Sequence, residues 1–141
     1  MKYLSKSLSG TKKLAGRLAR RLRGGEVIGL IGELGSGKTT FTQYLAKALG
    51  VKQRVNSPTF NIVKIYKIKN LKIKNFIHID AYRLRSAQEL KALGVQEYFQ
   101  DKTAVTVIEW ADKVKPILPK NTILIKFQLN KASRLITILR R

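Results

Sequence analysis

The residues best suited to chemistry stand together in Gly32-Glu33-Leu34-Gly35-Ser36-Gly37-Lys38-Thr39. They match the phosphate-loop pattern Gly-x-x-x-x-Gly-Lys-[Ser/Thr] at every fixed position. At this chain's own residue frequencies the pattern arises by accident in only ~1 of 100 such sequences. The glycines let successive backbone N–H groups converge on phosphate oxygens, and a helix opening near Lys38 aims its positive end at the same anion. Lys38 is then placed to reach β- and γ-phosphates, and the Thr39 hydroxyl to bind Mg²⁺. Two acids extend the set. Asp80 ends the apolar run Phe76-Ile77-His78-Ile79 and Glu109 ends Val105-Thr106-Val107-Ile108. A carboxylate at the end of a hydrophobic strand is costly unless it is used. Beside a phosphate loop the pair reads as a metal ligand and a water-activating group. Either acid suits either job.

The elements that position these groups are legible from periodicity. Val27 to Ile31 is an unbroken apolar run, the mark of a strand buried on both faces of a parallel sheet. Phe41, Tyr44, Leu45, Ala48 and Leu49 then fall on one helical face, and Gly50 stops the helix. After it comes Ser57-Pro58-Thr59-Phe60, either a γ-phosphate-sensing loop or a plain entry to the next strand. Upstream, Leu14, Ala15, Leu18, Ala19 and Leu22 predict a helix over about 10–23, with Thr11 or Ser9 as cap and Gly24-Gly25 as stop. That acid-free, Arg-rich segment also imitates a transit peptide or a membrane-surface helix. It runs into the first core strand with no spacer, so a helix packed on the sheet is expected.

Phe60–Ile68 and Ile73–Ile79 read as a hairpin whose lysines guard a solvated edge. Ser86 with Glu89 forms a candidate capping box. Val95–Phe99 reads as core packing, and His78 as a half-buried strand residue. Trp110, the one tryptophan, suits core or cofactor stacking. A second hairpin is expected over about 122–139, turning at Asn130-Lys131-Ala132-Ser133. Ser133 stands where a guanine-reading loop needs Asp, and no Asp-x-x-Gly follows the phosphate loop, which argues against a GTPase.

The 141 residues, 44% of them hydrophobic, predict one globular domain. With no cysteine, disulfides and thiolate metal sites are excluded. No apolar run approaches the ~18 residues of a membrane span. The net charge of +21 suits nucleic acid, an acidic protein or an anionic membrane. It equally suits a lysine-rich composition, since the lysines are spread along the whole chain.

The phosphate loop with Thr40-Phe41, then Ser57-Pro58-Thr59-Phe60, His78-Ile79-Asp80-Ala81-Tyr82-Arg83-Leu84 and Ile108-Glu109-Trp110, in this order, resembles the TsaE family. The resemblance spans about residues 4–139. Glu33 stands where the family usually has Asp, Ser36 where it often has Ala, and Ala111 where Pro is frequent. The resemblance implies an α/β fold, a P-loop NTPase-type mixed sheet with helices on its faces. It also implies a cytoplasmic Mg²⁺-dependent ATPase needed for tRNA N6-threonylcarbamoyladenosine, the modification beside the anticodon. That protein acts with TsaB and TsaD; contact with tRNA, through the complex or the basic surface, is left open by the charge and not implied by the resemblance. Carried over residue by residue, nucleotide contacts fall on Glu33, Leu34, Gly35, Ser36, Gly37, Lys38, Thr39, Thr40, Thr59 and Trp110. Catalytic roles fall on Lys38, Asp80 and Glu109, and metal roles on Thr39, Asp80 and Glu109. The rivals are a small-molecule P-loop kinase and a basic tRNA-binding module with a vestigial ATP site.

Overall fold

The computed structural model describes residues 1–58, 61–69 and 72–140. In chain order the elements are β1 (Lys2–Ser5), α1 (Leu8–Arg21), β2 (Val27–Gly32), α2 (Lys38–Leu49), β3 (Val63–Lys67) and β4 (Asn75–Asp80). Then come α3 (Ala87–Lys91), α4 (Gln96–Gln100), β5 (Ala104–Glu109), a 3₁₀ segment (Ala111–Ile117), β6 (Ile123–Asn130) and β7 (Ser133–Arg140). Among the described residues seven strands join one sheet in the order β1-β7-β6-β2-β5-β4-β3.

The apolar runs take the middle of that sheet. β6, β2, β5 and β4 are mutually parallel, with β2, β5 and β4 mostly buried and β6 buried over Ile123, Leu124, Ile125 and Phe127, while β3, β7 and β1 add antiparallel edges. On one face, Leu14 of α1 and Phe41 and Leu45 of α2 pack on Ile28, Leu30, Phe76 and Val107. The Phe41 ring meets Phe127 edge-on at 5.5 Å, a geometry worth about 0.5–1.5 kcal/mol beyond area burial. On the other face, Leu90, Phe99 and Val114 cover Ile77, Ile79 and Ile108. The mixed sheet with helices on its faces is therefore as expected.

Several boundaries differ from the sequence expectation. α1 starts at Leu8, not near residue 10, because Ser7 rather than Thr11 or Ser9 is the cap; its Oγ accepts the Gly10 N–H at 3.2 Å. Thr11 is instead buried, sharing a 2.7 Å bond with Ser5 Oγ. The β3–β4 hairpin is real but shorter than Phe60–Ile68 and Ile73–Ile79, and β3 is the edge strand with Lys64 and Lys67 exposed. Ser86 precedes α3 as its cap residue, but its side chain makes no capping bond. β1 has no counterpart in the sequence reading; it pairs antiparallel with β7 at the opposite end of the chain. The C-terminal hairpin turns on Lys131-Ala132, with Lys131 at φ 51°. Among the described residues no helix is long and apolar enough to cross a membrane.

Candidate functional site

β2 ends at Gly32 and α2 begins at Lys38, so the five residues between them form a loop over the C-terminal edge of the sheet. Two close approaches explain its glycines. A Cβ on Gly32 would stand 2.6 Å from Ser36 Oγ and 2.8 Å from the Phe127 carbonyl oxygen. Gly37 sits at φ 105°, in the left-handed region, and a Cβ there would meet the Arg134 side chain at 3.1 Å. Gly37 gives α2 no side-chain cap, and no acid lies in its first turn. The helix therefore presents bare N–H groups and its positive end to the loop, the arrangement an anion binds.

The sheet order then delivers the acids. β5 is the parallel neighbour of β2, with Leu30 opposite Glu109, and β4 lies beyond it with Asp80 opposite Glu109. Both carboxylates thus reach the same edge as the loop. Glu109 is 2% exposed and its Oε1 accepts the Thr39 hydroxyl at 2.8 Å. Thr39 Oγ1 also lies 3.2 Å from Ser57 Oγ. Asp80 is more open, with Oδ1 accepting the Tyr82 N–H at 3.0 Å. Burial pushes the Asp80 carboxyl above its ordinary value; the Tyr82 N–H opposes this and the Glu109 charge adds to it.

Lys38 Nζ donates to the Gly32 and Glu33 carbonyls at 2.5 and 2.9 Å and sits 4.1 Å from the centre of the Trp110 ring. Burial pulls the Lys38 ammonium below its ordinary value, while Glu109, Asp112 and Asp80 hold it up. Trp110 has left-handed backbone angles (φ 60°, ψ 41°) and stacks obliquely on Tyr82 at 5.1 Å. A non-glycine residue in that region stores strain, and such strain gathers at functional sites.

A cleft of about 230 Å³ unites these groups. Leu34, Gly35, Gly37, Lys38, Thr39, Thr40, Asp80, Glu109 and Trp110 all line it. Glu33 is exposed beside the cleft and the Ser36 side chain is buried beneath the loop, so neither lines it. Thr59 lies outside the described residues. Ser57, Tyr82 and Arg134 line the cleft as well. Arg134 is the largest omission from the sequence reading, because β7 brings it in from far along the chain; its Nε is buried with no hydrogen-bond partner among the described residues. His78 is a correction. It is fully buried rather than half-buried, and its Nε2 lies 2.6 Å from Glu109 Oε2. The available signal was a polar side chain inside an apolar strand, which demands a partner.

A family model described as "Threonylcarbamoyl adenosine biosynthesis protein TsaE" matches residues 5–136. The chain belongs to the TsaE family. Its relatives include proteins named tRNA threonylcarbamoyladenosine biosynthesis protein TsaE. That of Bacillus subtilis is 38% identical over 120 residues, which is 85% of this chain and 72% of the relative. That of Treponema pallidum is 34% identical over 139 residues, 98% of this chain and 99% of the relative. That of Aquifex aeolicus is 42% identical over 108 residues, 75% and 73% of the two chains. The crystal structure of Bacillus subtilis YdiB superposes with a TM-score of 0.79 at 32% identity, covering 98% of this chain and 83% of that one. The glycine loop, the two strand-end acids and the tryptophan of this TsaE-family chain all lie inside the matched span.

Proposed function

We propose that this chain is a cytoplasmic Mg²⁺-dependent ATPase serving tRNA N6-threonylcarbamoyladenosine biosynthesis. One observation carries the ATPase reading: the hydroxyl that opens α2 is bonded to a buried carboxylate from the neighbouring strand, Thr39 Oγ1 to Glu109 Oε1 at 2.8 Å. A hydroxyl and a carboxylate are hard oxygen donors, and Mg²⁺ is bound by one or two such groups plus water and phosphate oxygens. Among the described residues no cluster of three or more His, Cys, Asp or Glu exists that could cage a metal alone. The donor set thus fits Mg²⁺ brought in with a nucleotide. The role in tRNA modification rests on family membership and on the names of the relatives.

In this reading the loop N–H groups and Lys38 hold the β- and γ-phosphates and neutralise charge that grows on them during transfer. Thr39 and Glu109 would hold Mg²⁺, which would supply further positive charge to neutralise the transferring phosphate. Asp80, the more open acid and the one whose carboxyl is pushed upward, orients the attacking water and takes its proton. Thr59, next to Pro58, senses the γ-phosphate, and Trp110 flanks the nucleotide. Lys38→Ala is expected to abolish phosphate release and weaken ATP binding; turnover at the wild-type rate would remove the site.

The partners in this reading are TsaB and TsaD. Capture of both from solution, compared with and without ATP, tests the partnership and its dependence on nucleotide. A phosphorylated small molecule formed from ATP would favour a kinase instead. Contact with tRNA has an observation of its own. α1 and α2 cover the same face of the sheet and contain no acid, and Lys12, Lys13, Arg17, Arg20, Arg21 and Lys47 are all exposed there. Such a face attracts a polyanion, and its affinity falls steeply with salt. A tRNA shift that survives in Lys38→Ala and disappears on charge reversal across α1 supports this contact. Binding unchanged by that reversal refutes it.

A further inference from the structure

His78 is the chain's one histidine, and no part of it reaches solvent. It lies on β4, two residues before Asp80, and its Nε2 is 2.6 Å from Glu109 Oε2. Its Nδ1 is also buried and has no hydrogen-bond partner among the described residues. These contacts select one form of the ring. A neutral imidazole has one donor and one acceptor, and an ionised carboxylate only accepts. With the proton on Nε2, the ring donates to Glu109 and leaves only a bare lone pair unpaired. With the proton on Nδ1, an N–H would be buried without an acceptor and two lone pairs would face each other. A doubly protonated ring would bury the same orphan N–H, and leaving a donor unsatisfied is expensive.

We propose that His78 is the positioning residue of the site, a neutral Nε2–H imidazole that locks the Glu109 carboxylate for its work on Thr39. The terminal torsion of a glutamate is broad, so one hydrogen bond leaves the group free to turn. Here the two oxygens are held from opposite sides, Oε2 by His78 and Oε1 by the Thr39 hydroxyl. The Thr39 hydroxyl reaches Ser57 in turn, so one line of contacts runs from β4 through Glu109 to the loop after α2. Histidine–carboxylate pairs behind a metal ligand fix its orientation, and breaking them typically costs about 10–100-fold in metal affinity or activity. The inference rests on the proposed metal–nucleotide role of Glu109, although the ring's protonation state does not.

The test uses the full chain and three readouts. Nitrogen NMR of the lone imidazole in nucleotide-free protein is expected to show a protonated, pyrrole-type Nε2 and a bare, pyridine-type Nδ1. The opposite tautomer, or two protonated nitrogens, overturns the proposal. Next, His78→Leu removes the donor, while His78→Gln retains an N–H on a side chain of similar reach. Binding of ADP in EDTA, followed by Trp110 fluorescence, should change less than about twofold in both. The Mg²⁺ concentration for half-maximal phosphate release should rise about tenfold or more in His78→Leu and return most of the way in His78→Gln. A folded His78→Leu with wild-type Mg²⁺ dependence overturns the proposal, as does a His78→Gln that melts like wild type yet shows no rescue relative to His78→Leu. Where His78→Leu does not fold, the ring tautomer and a near-wild-type Mg²⁺ dependence of His78→Gln decide the case, and a His78→Gln shifted tenfold or more counts against it. If wild type neither binds nor hydrolyses ATP, the ATPase reading fails, and the tautomer still reports on the His78–Glu109 lock.

Discussion

Glu109→Gln separates what the fold needs from what the proposed chemistry needs, because the two respond with opposite signs. The side chain is 2% exposed and its two oxygens accept from neutral donors, His78 Nε2 and Thr39 Oγ1. Glutamine keeps the shape. Its amide oxygen takes the His78 N–H, and its NH₂ faces Thr39, whose hydroxyl can accept and turn its own proton to Ser57 Oγ at 3.2 Å. Two charge-assisted bonds become neutral ones, a loss of about 1 kcal/mol each. Some attraction for Lys38 is lost as well, since Glu109 helps hold that ammonium charged. Against this, a buried anion is removed, whose effective desolvation penalty is several kcal/mol. The expected balance is a variant as stable as wild type or more so, by roughly 0–2 kcal/mol. Urea unfolding followed by circular dichroism measures this as a shift in midpoint at constant slope. Phosphate release should meanwhile fall by about 100-fold or more, with Mg²⁺-free ADP binding retained. Destabilisation beyond about 1 kcal/mol, or hydrolysis within tenfold of wild type, refutes the assignment of Glu109 to chemistry rather than to structure.

Gly29→Ala should lower stability by about 1–3 kcal/mol in the same urea assay, because the new Cβ would stand 2.8 Å from Ala111 Cβ and 3.0 Å from Leu124 Cδ2 in a packed layer. The push on Ala111 acts on the residue after Trp110, so the tryptophan emission of the folded variant should also shift. Arg134→Ala should weaken ADP binding about tenfold with little change in melting, since among the described residues the buried Nε against the loop has no partner to lose. Asp101 is held below the usual carboxylate range by the Thr103 hydroxyl and N–H. Its depressed value stabilises the fold above the unfolded-state titration and is lost as pH falls through the folded one. Asp101→Asn should therefore cost under ~1 kcal/mol at neutral pH, and the deficit should vanish at strongly acidic pH.

What could be read from the sequence is what local pattern determines. The phosphate loop carries its own fixed residues, and the strand-end acids stand out because a carboxylate closing an apolar run has few uses. β1 escaped notice because Lys2–Ser5 is four residues long and becomes a strand only through its pairing with β7. Arg134 has no local signal at all; it enters the cleft because the β6–β7 turn faces the loop edge of the sheet. His78 was visible as a residue but not as a partner. Its contact with Glu109 exists only because β4 and β5 are parallel neighbours, and periodicity along one strand says nothing about which strand lies beside it. The cap of α1 depends on the same kind of distant pairing, since Ser5 of β1 draws Thr11 inside and Ser7 does the capping.

In the proposed reading, the same sheet order divides between the two acids the duties that the residue types leave open. Neighbouring strands lie about 4.8 Å apart, so groups ending β5 and β4 stand one and two such steps from β2. The Thr39 hydroxyl, in the first turn of α2, meets the group on the first step, with Glu109 Oε1 at 2.8 Å. Glu109 accordingly holds Thr39, whereas Asp80 stands farther out on the cleft wall with Tyr82. The inner acid is desolvated and locked from two sides, as a metal ligand should be. The outer acid is partly open to solvent, and its carboxyl is pushed upward by burial and by its neighbour's charge, as suits a group that accepts a proton from water. Exchanging the order of β4 and β5 would exchange those duties without altering a single residue of either strand.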